Sequence, residues 1–172
     1  VTRASLSGER AHEPSAADRL EELERGAERN GLELQIDLDT SASALATTWH
    51  AVTDWHRPVR FLGRTRPLAI LPVLRLHEVL LHHIDLDCGF TVDRVPPQAA
   101  AALLGWVTDR VRDVHLPAIA IEAESGFTDT IGRGAVVAVA QAGDARLWAW
   151  LSGRGDLAAA DGDSLPRLPL LA

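Results

Sequence analysis

The sequence has 172 residues and a formal net charge of −7. Its length fits one large domain or two small ones, and its 47% of hydrophobic residues is enough to form a buried core. Its 17 basic residues are all arginine and are scattered, which argues against nucleic acid as a partner because phosphate binding needs concentrated positive charge. The single cysteine excludes an internal disulfide and fits a reducing cytoplasm, and no apolar run reaches the ~18 residues of a membrane span.

The first third of the chain predicts a polar tail and two helices. Residues 1–14 are polar, and we expect them to be a frayed tail. Ser15 followed by Asp18 is typical of a helix N-cap with an acidic first turn, and Asn30 is a suitable stop. Apolar residues at roughly helical spacing predict a second helix over 32–53. The opening of that segment, LELQIDLD, also alternates like a strand, so both interpretations stand there.

The middle of the chain predicts a loop followed by two further helices. Trp55 to Pro67 contains proline, glycine and four arginines, and reads as a loop. The arginines either gather an anionic substrate or simply face solvent. A helix is predicted from about Leu68 to Asp87, and Pro96-Pro97 begins the next one.

The apolar period changes from helical to alternating after Pro117. Residues 118–124 (AIAIEAE) and 134–141 (GAVVAVAQ) predict two strands. A last short helix, 145–153, follows, with Asp144 as its cap. Its two tryptophans, Trp148 and Trp150, are two positions apart, so we expect one in the core and the other near a domain interface. The sequence thus predicts an α+β fold with a polar tail (1–14), a helical domain (15–116) and a small α/β domain (117–172).

One stripe on the predicted helix of residues 68–87 carries metal-binding chemistry. Glu78 and His82 are four residues apart, which places a carboxylate and an imidazole on one face, able to grip one divalent ion. Asp85 lies on the same face and could orient the His82 ring through its second nitrogen. His77 and His83 lie off this line. The alternative interpretation is a polar stripe that faces solvent.

A longer motif surrounds this stripe. The run R-x-x-E-x-x-x-H-H-x-D-L, from Arg75 to Leu86, resembles the mycothiol-dependent maleylpyruvate isomerase family, which belongs to the DinB-like metal-binding helical bundles. Further matching segments lie in order along residues 15–172. They are W-x-R-P-V at Trp55–Val59, the pair Pro96-Pro97, W-L-x-G-R at Trp150–Arg154, and the closing LPRLPLL.

The resemblance implies a partial DinB-like four-helix bundle followed by a small α/β domain similar to sterol-carrier proteins. It also implies a zinc-like ion held by Glu78, His82 and one histidine from an early helix. Arg154 matches an arginine implicated in the family's active site. Mycothiol is the implied thiol cofactor, bound near the metal, which lowers the thiol pKa.

Two departures from the family pattern bear on this expectation. His77 stands where the family usually has an arginine directly before the glutamate. The early helix that should supply the third ligand has no counterpart, so we expect the chain to lack two N-terminal helices. The apolar faces of residues 68–87 and 97–113 would then be uncovered, and this predicts a homodimer.

The leading hypothesis is therefore a mycothiol-dependent metalloenzyme of the maleylpyruvate isomerase type. It would act on a small electrophilic, anionic substrate together with a low-molecular-weight thiol. Glu78 and His82 would ligate the metal, Asp85 would orient His82, and Arg154 would fix the anionic group. The alternative hypothesis is a truncated, inactive homologue that serves as a binding or interaction module.

Overall fold

The computed structural model describes residues 15–61, 64–112 and 114–168, and it divides into two compact units, Val1–Leu71 and Pro72–Ala172. The predicted N-terminal tail lies outside the described residues. Among the described residues, no helix is both long enough and apolar enough to cross a membrane.

The first unit contains helices α1 (Ala16–Ala27) and α2 (Gly31–His50), each closed at its start by a capping box. Ser15 accepts from the backbone N–H of Asp18, whose carboxylate accepts from the Ser15 N–H in return. Asn30 and Glu33 repeat this exchange at α2. Asn30 therefore starts the second helix rather than only stopping the first, and the LELQIDLD segment is helical rather than extended.

The arginine-rich segment of the first unit forms a β-hairpin, so the prediction of a loop is wrong there. Strand β1 (Pro58–Phe61) pairs antiparallel with β2 (Arg64–Pro67), with Val59 opposite Arg66. Prolines at the outer ends of the two strands remove no ladder hydrogen bond that the hairpin needs. The strands are short and rich in arginine, which hides their alternation from the sequence.

The second unit contains most of helix α3 (Ile70–Asp85), a 3₁₀ turn (Val92–Arg94) and helix α4 (Pro97–Val111). Helix α4 begins with proline, whose missing N–H costs nothing in the first turn. Its apolar face is buried, with Leu103, Leu104 and Val107 inaccessible to solvent. The expectation that this face is uncovered is therefore wrong.

A three-stranded sheet follows. Its middle strand, β3 (Pro117–Ala123), pairs antiparallel with β4 (Thr128–Ile131) and parallel with β5 (Arg133–Ala142), which gives the order β4-β3-β5. Both predicted strands are confirmed, and β4 is an addition. Between β4 and β5 the chain passes beneath the start of β3 at Gly132, which has φ 80°. A Cβ there would lie 2.5 Å from the carbonyl oxygen of Pro117, so the crossing requires glycine.

Helix α5 (Asp144–Leu151) lies at the centre of the core of the second unit, to which Ala159, Leu165 and Leu168 of the following segment also contribute. Gly143 occupies the N-cap position, so Asp144 is the first helical residue and not the cap. Trp148 and Trp150 are 0% and 1% exposed, so both belong to the core and the expectation that they differ is wrong. Burial on every side of a helix explains why spacing alone could not separate an inner from an outer face.

Candidate functional site

The predicted polar stripe lies on the last turns of α3, as the helical spacing requires. The His82 ring stands between two carboxylates, with Nε2 3.6 Å from Glu78 Oε2 and Nδ1 3.6 Å from Asp85 Oδ2. The side chains of His82 and Glu78 are 62% and 39% exposed. The stripe is therefore reachable from solvent, and its two carboxylates lie beside different nitrogens of the His82 ring.

Arg154 joins this stripe from the turn that follows α5. Its Nε and Nη2 donate to the two oxygens of Asp85 at 3.1 and 2.8 Å, and its Nη1 donates to the carbonyl oxygen of Ser152 at 2.8 Å. The turn brings the arginine there because Gly153 adopts φ 79° just after the helix ends. All four residues singled out from the sequence, Glu78, His82, Asp85 and Arg154, thus come together.

The electrostatics of the cluster centre on Asp85. Its hydrogen bonds from the Arg154 guanidinium lower the pKa of the Asp85 carboxyl, and His82 adds to the effect. Because a carboxylate lies 3.6 Å from each ring nitrogen of His82, the distances alone do not select a tautomer. A metal shared by Glu78 and Nε2 would fix the ring proton on Nδ1, on the side of Asp85.

The geometry of Glu78 and His82 suits two neighbouring ligands of one ion. Metal–ligand bonds of ~2.0–2.1 Å in a tetrahedral zinc site place donor atoms about 3.3 Å apart, close to the 3.6 Å found here. Catalytic zinc sites use three protein ligands, however. Across residues 15–61, 64–112 and 114–168, no group of three His, Cys, Asp or Glu side chains is arranged to hold an ion. Among the described residues, Glu78 and His82 therefore supply two of the three protein ligands that a catalytic zinc site uses.

His77, which the sequence placed off the stripe, is the buried polar residue of α3. It is 3% exposed, and its Nδ1 accepts a hydrogen bond of 3.0 Å from the indole N–H of Trp148. Both Trp148 and Trp106 meet the ring edge to face, with centroids 5.9 and 6.5 Å away. Burial lowers the pKa of His77 to about 4, and Arg154, Arg110 and His82 add positive charge to the same effect. His77 is therefore a neutral imidazole at physiological pH.

A signal for His77 was present in the sequence. Positions 77, 81 and 84 lie along one line of a helix, and the other two are Leu81 and Ile84. That line is apolar, so a histidine within it needs a buried partner. An indole N–H is a suitable one, and Trp148 supplies it.

Taken together, the elements define an α+β protein in which helices precede a small mixed sheet, with a carboxylate–imidazole pair on one helix. Among solved structures, the crystal structure of the mycothiol-dependent maleylpyruvate isomerase matches with a TM-score of 0.83, at 22% identity over 99% of this chain and 74% of that one. A histidine-to-alanine variant of that isomerase matches with the same values. The chain thus has the fold of this isomerase, which confirms the expected fold class.

No protein-family model matches the sequence, and no curated protein matches it.

Proposed function

We propose that the chain is a thiol-dependent metalloenzyme of the maleylpyruvate isomerase type. The observation that carries this proposal is the cluster of Glu78, His82, Asp85 and Arg154, on a fold that matches an isomerase of that name. A structural match at 22% identity speaks for the fold alone, so the function depends on the chemistry of these four side chains.

Glu78 and His82 would hold a zinc-like ion together with one further ligand. When bound, such an ion would lower the pKa of a thiol cofactor such as mycothiol, and the thiol would supply the nucleophile for an electrophilic substrate. The side chains of this chain would do the rest. Asp85 keeps the His82 ring oriented and its Nε2 lone pair available, and Arg154 keeps Asp85 in place.

Arg154 is also proposed to attract the anionic group of the substrate. Its side chain is 11% exposed and already pairs with both oxygens of Asp85. A substrate carboxylate would therefore meet a guanidinium whose charge is partly neutralised. Replacing Asp85 with Asn should raise the attraction for anions while loosening His82, so KM and kcat should fall together in this variant. A rise of KM would contradict the anionic role.

The test of the proposed function is an isomerisation assay with maleylpyruvate, mycothiol and added zinc, with each omitted in turn. We expect turnover that needs the thiol and the metal and that is lost in Glu78→Gln and His82→Gln. His83→Phe is the matched control, because His83 is exposed and stacks on Phe90 with ring centroids 4.3 Å apart, an arrangement that a phenyl ring keeps. Equal loss in all three variants would contradict the assignment.

A metal titration separates ligand binding from catalysis. Two protein ligands should bind zinc weakly, since a complete structural site is worth on the order of 10 kcal/mol or more and each missing ligand removes a large part of that. We expect weak calorimetric binding by the chain, lost in Glu78→Ala and in His82→Ala and kept in His83→Phe. Loss in His83→Phe with retention in His82→Ala would show that the helical register is misassigned.

The second candidate function is a non-catalytic binding module with the same fold. It is favoured by one observation, that the described part of the chain offers two ligands where catalytic zinc sites use three. In the assay above, this module would bind the thiol or the substrate without turnover at any zinc concentration.

A further inference from the structure

Helices α1 and α2 of the first unit have no buried residue along their combined length. Six large apolar side chains on them are between 44% and 71% exposed: Leu20, Leu23, Leu32, Leu34, Ile36 and Leu38. Helices of 12 and 20 residues gain most of their stability from packing an apolar face, and α1 is at the length where an isolated helix is marginal in water. The six exposed apolar side chains therefore indicate that another surface packs against α1 and α2.

The exposed side chains are grouped in a way that suits contact with another surface. Leu20 and Leu23 are three residues apart and share one face of α1. On α2, Leu32 and Ile36 share one face of the helix. Leu34 and Leu38 share the opposite face of the same helix. Each group is an apolar strip two side chains long.

Charge in the first unit is strongly segregated along the chain. Helices α1 and α2 carry seven acidic residues against two arginines, whereas residues 55–71 carry four arginines and no acid. In the hairpin register, Phe61 faces Arg64 and Val59 faces Arg66. Val59 is buried, whereas Phe61 is partly exposed beside the exposed Arg64, so this face offers one apolar side chain next to basic ones. The two surfaces are thus opposite in charge, and both have an apolar component.

We propose that a second copy of this chain covers α1 and α2, with the basic hairpin of each copy lying on the acidic, apolar helices of the other. Charge complementarity identifies the occupant, since one sequence supplies both signs. A two-fold axis uses the helix–hairpin contact twice and closes the assembly as a dimer. This dimer differs from the one expected from the sequence, which relied on the faces of residues 68–87 and 97–113. The proposal does not depend on the proposed function.

Sedimentation velocity of the full chain from nanomolar to tens of micromolar tests this proposal. We expect a monomer–dimer equilibrium that weakens as NaCl is raised from about 0.05 to 0.5 M, because exposed charges are screened over that range. Leu32→Gln/Ile36→Gln should weaken the dimer by about tenfold or more. Val136→Gln/Val137→Gln is the matched control, since these valines of the second unit are 53% and 64% exposed, and it should leave the dimer unchanged.

The pairing of hairpin with helices has its own test. Arg64→Glu/Arg66→Glu, on the face of the hairpin that carries Phe61, should dissociate the dimer, and Glu24→Arg/Asp39→Arg should do the same. An equimolar mixture of the two variants should restore a dimer in low salt. Circular dichroism confirms that each variant stays folded.

Three results would overturn the proposal. They are a wild-type monomer throughout the concentration range, a control variant that weakens the dimer as much as Leu32→Gln/Ile36→Gln does, and a dimer that is insensitive to the arginine reversal.

Discussion

In the second unit, helix α5 buries five consecutive residues, whereas in the first unit helices α1 and α2 together bury none. Both units are rich in apolar residues, so the difference lies in what surrounds those residues and not in composition. The second unit encloses α5 with α4 and the three-stranded sheet. A leucine's contribution to stability therefore depends on what surrounds it in the fold, and its place in a helical pattern alone does not give that contribution.

A matched pair of leucine truncations tests this difference most directly. Leu104→Ala removes a side chain that is 0% exposed and should lower the free energy of unfolding by about 2–5 kcal/mol. Leu23→Ala removes one that is 71% exposed and should change it by no more than about 0.5 kcal/mol. Urea denaturation at submicromolar concentration is the measurement. Equal losses would mean that α1 is covered in the monomer.

The buried imidazole of the second unit should make its stability depend on pH. The pKa of His77 is about 4 in the folded chain and ~6.5 when unfolded, so the unfolded chain binds the proton first as pH falls. The stability that His77 contributes is complete above pH ~6.5 and is lost progressively down to about pH 4. The total loss is on the order of 3 kcal/mol.

His77→Gln isolates this effect, because glutamine keeps an acceptor for the Trp148 N–H and does not titrate. Urea midpoints between pH 7 and 4.5 should fall less in this variant than in the wild type. Parallel curves for the two proteins would contradict the buried, neutral state of His77.

The ion pair of Asp85 and Arg154 should contribute less, since the Asp85 side chain is 39% exposed. A double-mutant cycle with Asp85→Asn and Arg154→Gln should give a coupling free energy of about 1 kcal/mol. Because Arg154 lowers the pKa of Asp85 in the folded chain, the coupling is present above the ordinary carboxyl pKa of ~3.9 and disappears as pH falls through the folded value. A coupling of zero at pH 7 would mean that the pair is not formed in solution.

The smallest expected effect concerns a local interaction in the first unit. Asn30→Ala removes the side-chain acceptor for the Glu33 N–H, worth roughly 0.5–1 kcal/mol to helix α2. Since α2 buries nothing, it depends on such local contacts. Hydrogen exchange should become several-fold faster in the first turns of α2 and stay unchanged in α4. Faster exchange in α4 as well would show that the units unfold together.

The helices and the two longer strands could be predicted because their apolar residues repeat with a clear period, as at Leu103, Leu104 and Val107. The cluster around His82 could be anticipated in part, because i, i+4 and i, i+7 spacing on one helix fixes which side chains share a face. The arrival of Arg154 at Asp85, 69 residues away in sequence, follows from tertiary packing, which no local pattern contains.

The hairpin and β4 were missed for a physical reason. Each of these strands has four residues, and Pro58, Arg60, Arg64 and Pro67 leave little apolar alternation to detect. The role of His77 could not be predicted, because its hydrogen-bond partner, Trp148, is 71 residues away in sequence. The exposed state of Leu32 and Ile36 was missed as well, since a helical period predicts a buried face without saying what covers it.

The crossing at Gly132 has a genetic consequence. Every single-base change in the first two positions of a glycine codon replaces the residue, and any replacement with an L side chain would place a Cβ against the carbonyl oxygens of Pro117 and Leu116. At the connection between β4 and β5, we therefore expect only synonymous changes of the Gly132 codon to preserve the fold. In a deep mutational scan, position 132 should be depleted of every substitution, while Gly134, whose φ is 92° but whose Cβ would meet open space, should retain asparagine and aspartate.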